Sequence, residues 1–170
     1  MINLFLKIYN AFEQNRALFE ALELPPVEHI DKMRGQPLNP EQFEYYPQPA
    51  IFIGWKIAWT KAGKFWNGLL TLEFHVVTDP TWDTSNISTS KAEGLKNVLY
   101  HTVVRYVLDD LESENTGKLQ RIDEEPLDTG VVNYNVLRYQ CSYRDPMSSG
   151  EDFEGIIEKL VISGVLKRKI

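Results

Sequence analysis

Three stretches of this chain alternate apolar and polar side chains residue by residue, and that period of two limits the fold more than anything else in it. In the first, Ile51, Ile53, Trp55, Ile57 and Trp59 alternate with Phe52, Gly54, Lys56 and Ala58. In the second, Leu70, Leu72, Phe74 and Val76 alternate with Thr71, Glu73, His75 and Val77. In the third, Leu137, Tyr139, Cys141 and Tyr143 alternate with Arg138, Gln140, Ser142 and Arg144. Successive side chains on a strand point to opposite faces, so each stretch predicts a strand with one buried and one polar face. One-sided burial of this kind belongs to antiparallel sheets. Gly63, Asn67 and Gly68 supply turn residues between the first two strands, which predicts a hairpin. Lys118 to Glu125 reads as a shorter strand, and the turn "PLDTG" joins it to the third stretch as a second hairpin.

Two segments follow a period near 3.6 instead. Leu4, Phe5, Ile8, Ala11, Phe12, Leu18, Phe19 and Leu22 form one stripe, with Asn3 as a cap and Pro25-Pro26 as the stop. Ser90-Lys-Ala-Glu93 has the spacing of a capping box and opens a helix running to about Leu111. Its expected packing stripe is Ala92, Leu95, Leu99, Val103, Tyr106 and Leu111, and further apolar residues at Val98, Val104, Val107 and Leu108 widen it. Such an excess predicts contact on two sides of the helix. The expected fold is therefore α+β, an antiparallel sheet of about four strands in two hairpins, in the order α-β-β-α-β-β. Both helices pack on one face of that sheet. Residues 1–146 form one domain, and residues 147–170 a C-terminal extension packed on it, with a short helix stopped by Gly164. Between the first helix and the first strand, residues 25–49 hold six of the nine prolines together with Met33, Leu38, Phe43, Tyr45 and Tyr46. A loop so long and so rich in contact-seeking side chains either lies across its own domain or reaches a neighbouring subunit as an arm.

The chemistry-bearing residues are sparse. Glu73, His75 and Asp79 occupy one strand and the loop after it, at the spacing E-x-H-x-x-x-D, and Glu73 and His75 share the polar face. A metal needs three or four ligands converging on one point. The neighbouring strand offers Arg138 and Arg144 there, cations that suit pairing with Glu73 and oppose a divalent ion. His29 and His101 have no ligand-like spacing to His75. Cys141, the single cysteine, excludes an intrachain disulfide and reads as a small buried hydrophobe. No glycine-rich phosphate loop, HExxH helix or G-x-S-x-G elbow occurs. Neither a metal nor a cofactor is expected. The net charge of −6 argues against broad nucleic-acid binding, and sequence-specific binding is not expected either. The short terminal cluster Lys167-Arg168-Lys169 reads as a solvated end. The opening "MINLFLKIYNAF" lacks the basic start and cleavage site of a leader, and no run approaches the length of a membrane span. A cytoplasmic protein is expected.

The order of these elements resembles a known family. A helix precedes the first strand "PAIFIGWKIAW"; the second strand ends in "EFHVVTDP"; the long helix "SKAEGLKNVLYHTVVRYVLDDL" follows; a closing hairpin ends in "LRYQCSYRD". Residues 1–146 thereby resemble the tail terminator, or tail completion, proteins of long-tailed bacteriophages and prophages. The resemblance implies a structural, non-enzymatic protein made in the bacterial cytoplasm and carried into the virion. It implies a homo-oligomeric ring, usually of six, that caps the tail tube and meets the head connector. Phe43, Tyr45, Tyr46, Glu73, Val104, Arg138 and Arg144 would then be subunit contacts. Two rivals remain: a non-catalytic cytoplasmic α+β adaptor, and a small metal-dependent hydrolase using Glu73, His75 and Asp79.

Overall fold

A computed structural model describes residues 1–43, 45–62, 65–79, 84–128 and 132–144. Helices α1 (Ile2–Gln14) and α2 (Arg16–Ala21) lead into the short strand β1 (His29–Lys32). A long hairpin follows, β2 (Ala50–Ala62) and β3 (Phe65–Thr78), then helix α3 (Lys91–Leu108) and the hairpin β4 (Gln120–Asp128) and β5 (Asn133–Arg144). The C-terminal extension, Asp145-Pro146 before it and the turn residue Gly63 lie outside the described residues.

The α+β class and the two hairpins are as the alternation predicts. The sheet differs in one respect. It has five strands in the order β1-β2-β3-β5-β4, and β1 runs parallel to β2, so the sheet is mixed. The added strand comes from the proline-rich segment: His29 to Lys32 pair with Ala50 to Ile53, well before the loop returns to β2. The arm is thus tied to the sheet edge at its base.

The helices lie on one face, as expected, and the main core forms there. Leu4, Ile8, Phe12 and Phe19 meet Ile51, Ile53, Leu70, Leu72, Phe74 and Val76, with Leu137 and Tyr139 from β5. The first helix is interrupted. Asn15 ends α1 and its side-chain amide donates back to the Ala11 carbonyl at 2.8 Å, a local bond that competes with the helical ladder. Asn3 lies inside α1 instead of capping it, and its amide donates to Glu114 at 3.1 Å. The capping box at α3 does not close: Ser90 is the N-cap but makes no side-chain cap bond, its hydroxyl lies 3.0 Å from that of Ser88, and Glu93 pairs with Lys96 at 3.2 Å.

α3 also turns the other way from the expected stripe. Tyr100, Val103, Val104, Val107 and Leu108 are buried, at the i, i+3, i+4, i+7, i+8 spacing of one face. Leu95, Val98, Leu99 and Tyr106 point outward. Two apolar faces compete on this helix. The one chosen puts its largest aliphatic group, Val103 to Leu108, over the sheet centre.

The far face of the sheet is only partly wet. Near the β1 end, Ala50, Phe52, Val77, Tyr134 and Val136 form a second buried cluster, with Met33 and Tyr46 packed on it. Tyr46 stands edge-on to Phe52, ring centroids 4.8 Å apart, and stacks on His29 at 6.0 Å. The base of the arm therefore lies across its own domain.

Candidate functional site

The polar face first produces a row of charge. Glu73, Arg138 and Asp123 are direct cross-strand partners on β3, β5 and β4, so the strand register alone sets them side by side. Arg138 donates to Glu73 Oε1 at 3.0 Å, Asp123 Oδ1 at 2.9 Å and Glu125 Oε2 at 2.9 Å. The pairing of Glu73 with Arg138 is the one expected from the sequence. Three carboxylates, Asp123 foremost, push the guanidinium pKa further up. The carboxylates are about half exposed, so each bridge contributes little to stability, of order 0.2–1 kcal/mol. Their joint effect is orientation: one planar cation stitches three strands.

His75 sits beside that row but not on the surface. It is buried, and its Nδ1 lies 2.6 Å from the Tyr134 hydroxyl. Burial lowers the histidine pKa, with smaller opposing effects of Glu73 and Arg138, and burial pushes the Tyr134 phenol up to about 12. An imidazole nitrogen is a better acceptor than a phenol oxygen, so the hydroxyl donates to Nδ1 and the ring proton resides on Nε2. Nε2 lies 3.7 Å from Glu73 Oε2, beyond hydrogen-bond reach. Asp79 stands exposed past the end of the strand, its backbone carbonyl accepting from Asn133 at 2.6 Å. Glu73, His75 and Asp79 thus do not converge. Among the described residues no three His, Cys, Asp or Glu side chains are placed to hold one ion.

The remaining predicted contact residues separate by burial. Tyr45 is 91% exposed, Phe43 and Tyr46 are half-buried, and Arg144 is exposed at the end of β5. Val104 is fully enclosed in the core and cannot touch a neighbour; α3 packs it against the sheet. The outward side of α3 takes its place, with Leu95 at 52%, Val98 at 60% and Tyr106 at 68% exposure. A second exposed group, Trp55, Trp59 and Trp66, lies at the free end of the β2–β3 hairpin. Cys141 is buried, and desolvation pushes its thiol up to about 11, which makes it inert as a nucleophile.

One feature has no counterpart in the sequence reading. Between α3 and the β4–β5 hairpin runs an open groove of about 720 Å³. Its apolar lining includes Val98, Pro126, Leu127 and Val132. Its polar lining includes His101, Asn135 and the Arg105–Glu124 ion pair. Asn135 donates to Glu124 Oε1 at 2.6 Å, which turns its carbonyl oxygen away from that carboxylate. The Oδ1 of Asn135 and the Nδ1 of His101 are both buried without a hydrogen-bond partner. Desolvation lowers the His101 pKa to about 4, so the ring is neutral near pH 7. The only sequence signal for this site is a pair of polar residues on core-facing positions, His101 among the valines of α3 and Asn135 in line with Leu137 and Tyr139.

No protein-family model and no curated protein sequence matches the chain. Among solved structures, the fold is similar to that of a chain in the virion of a native gene transfer agent particle, with a TM-score of 0.49 and 12% sequence identity over 81% of this chain and 92% of that chain.

Proposed function

We propose that this protein is a non-enzymatic structural component of a phage or prophage tail. It assembles in the host cytoplasm as a ring, six copies being the expected number, that ends the tail tube, joins it to the head connector and stays in the virion. The observation that carries this reading is the outer face of α3. A helix that spends one apolar face on its own core and leaves Leu95, Val98, Leu99 and Tyr106 in water is built for a second contact. The resemblance of element order to tail terminator proteins supplies the kind of assembly. The exposed part of the arm, the row Glu73–Arg138 and Arg144 are the other proposed contacts.

Light scattering on the purified protein tests the reading together with negative-stain images. The expected result is a concentration-dependent species near 118 kDa, six copies of a 19.7 kDa chain, seen as closed rings. A 19.7 kDa monomer at every concentration, without rings, would sink it and favour a monomeric adaptor.

A further inference from the structure

We infer that the groove between α3 and the β4–β5 hairpin is the socket for Tyr45 on the arm of a second copy of this chain. The inference rests on the ring reading and names the two halves of its contact. A cyclic ring needs a heterologous interface, in which one patch meets a different patch on the next copy. The arm joins β1 to β2, at one end of the sheet order; the groove adjoins β4, at the other end. Copies placed head to tail along the sheet would bring these two features together.

The chemistry of the two sides matches. The socket offers apolar walls at Val98, Pro126, Leu127 and Val132, and two polar atoms, Asn135 Oδ1 and His101 Nδ1, each on a side chain 6% exposed and each without a partner. Leaving such atoms unpaired is costly, and a ligand that pairs them is favoured for that reason. A phenol suits both requirements: its ring fills an apolar slot, and its hydroxyl both donates and accepts. The hydroxyl can donate to Asn135 Oδ1 and accept from a His101 N–H. Tyr45 is 91% exposed, so its ring has almost no contact within its own subunit. Charge agrees as well. Residues 37–47 of the arm carry Glu41 and Glu44 and no cation, while residues 91–105 of α3 carry Lys91, Lys96 and Arg105 against the one carboxylate of Glu93.

Cysteine cross-linking of the full chain tests the contact, because the native Cys141 is buried. Tyr45→Cys and Val98→Cys proteins are prepared singly, oxidised alone and oxidised as a mixture. Covalent dimers at least fivefold more abundant in the mixture than in either protein alone are expected. The double variant should give a ladder of multimers on a non-reducing gel. Dimers of one variant with itself, as abundant as in the mixture, overturn the head-to-tail contact. Absence of cross-links in a protein that still sediments as an oligomer overturns the socket and leaves the ring reading standing. Absence of both cross-links and oligomer removes the two together. A Tyr45→Phe variant isolates the hydroxyl: about tenfold weaker assembly is expected, and unchanged assembly rules out the pairing with Asn135 and His101.

Discussion

Burial of His101 at the edge of the core sets a specific pH response. Its pKa is about 4, lowered chiefly by desolvation, with Glu124 and Arg105 acting in opposite directions. The unfolded chain holds this proton near pH 6.5. Between those values the unfolded state binds more protons than the folded one, so stability is full above about pH 6.5 and is lost as pH falls toward 4. His75 shifts in the same direction and adds to the effect. Replacing His101 with Phe removes one titration and both ring nitrogens at a site 6% exposed. Urea unfolding at pH 7 and pH 4.5 should show the wild type losing more stability than His101→Phe, by about 2–3 kcal/mol. Equal losses would mean that another group controls acid unfolding. Arg138 acts differently, since it is always charged and works by geometry. The sequence pointed to its partner Glu73 because both lie on the polar positions of alternating strands. Its other two carboxylates depended on how β4 aligns with β5, and a bulge between Arg121 and Asp123 sets that alignment.

At the scale of elements, the long strands are the most rigidly specified parts, and Gly68 shows how tightly. It faces Trp59 across the hairpin, and a Cβ built there would lie 2.7 Å from Ile57 Cγ2 and 3.1 Å from the Trp59 ring. Gly68→Ala must therefore push aside two side chains, a cost of about 1–3 kcal/mol by the usual scale of overpacking. Thermal unfolding should report the loss, and tryptophan emission should shift, since Trp59 is already half exposed and is the side chain that can move outward. An unchanged melting temperature would show that the hairpin end absorbs the extra carbon freely. Strands β2, β3 and β5 were legible because one face of each is continuously apolar, which a register slip would expose. β1 was not. Four residues, His29 to Lys32, are too short to show a period, and the strand exists only because β2 offers a free edge. The break at Asn15 was hidden for the opposite reason: the apolar period continues through it. The orientation of α3 could not be read from its sequence, since both of its faces are apolar and only the sheet decides between them. The groove was invisible for the same reason, because it is formed by α3 and two strands that approach only once the chain is folded.

For the whole molecule, the arm divides into a part that serves the fold and a part that faces outward, and adjacent tyrosines mark the division. Tyr46 packs edge-on against Phe52, which is itself fully buried, and stacks on His29 of β1. Burial raises its phenol pKa, as expected for a ring that has left water. Tyr45 points the other way. The sequence left two alternatives open for this segment, an intradomain cover or a reaching arm. The structure gives the first role to Met33 and Tyr46, and the exposure of Tyr45 and Leu38 leaves room for the second. Deleting residues 37–47 would damage both roles at once, whereas point variants separate them. Tyr46→Ala should cost about 2–3 kcal/mol of unfolding free energy, because it uncovers Phe52 and opens the second cluster. Tyr45→Ala should cost less than about 0.5 kcal/mol, as surface substitutions do, while reducing the oligomer seen by light scattering. If Tyr45→Ala destabilises the monomer as much as Tyr46→Ala, the whole arm is cover for its own sheet. The ring contact would then have to be found on the outer face of α3 and the tryptophans of the long hairpin.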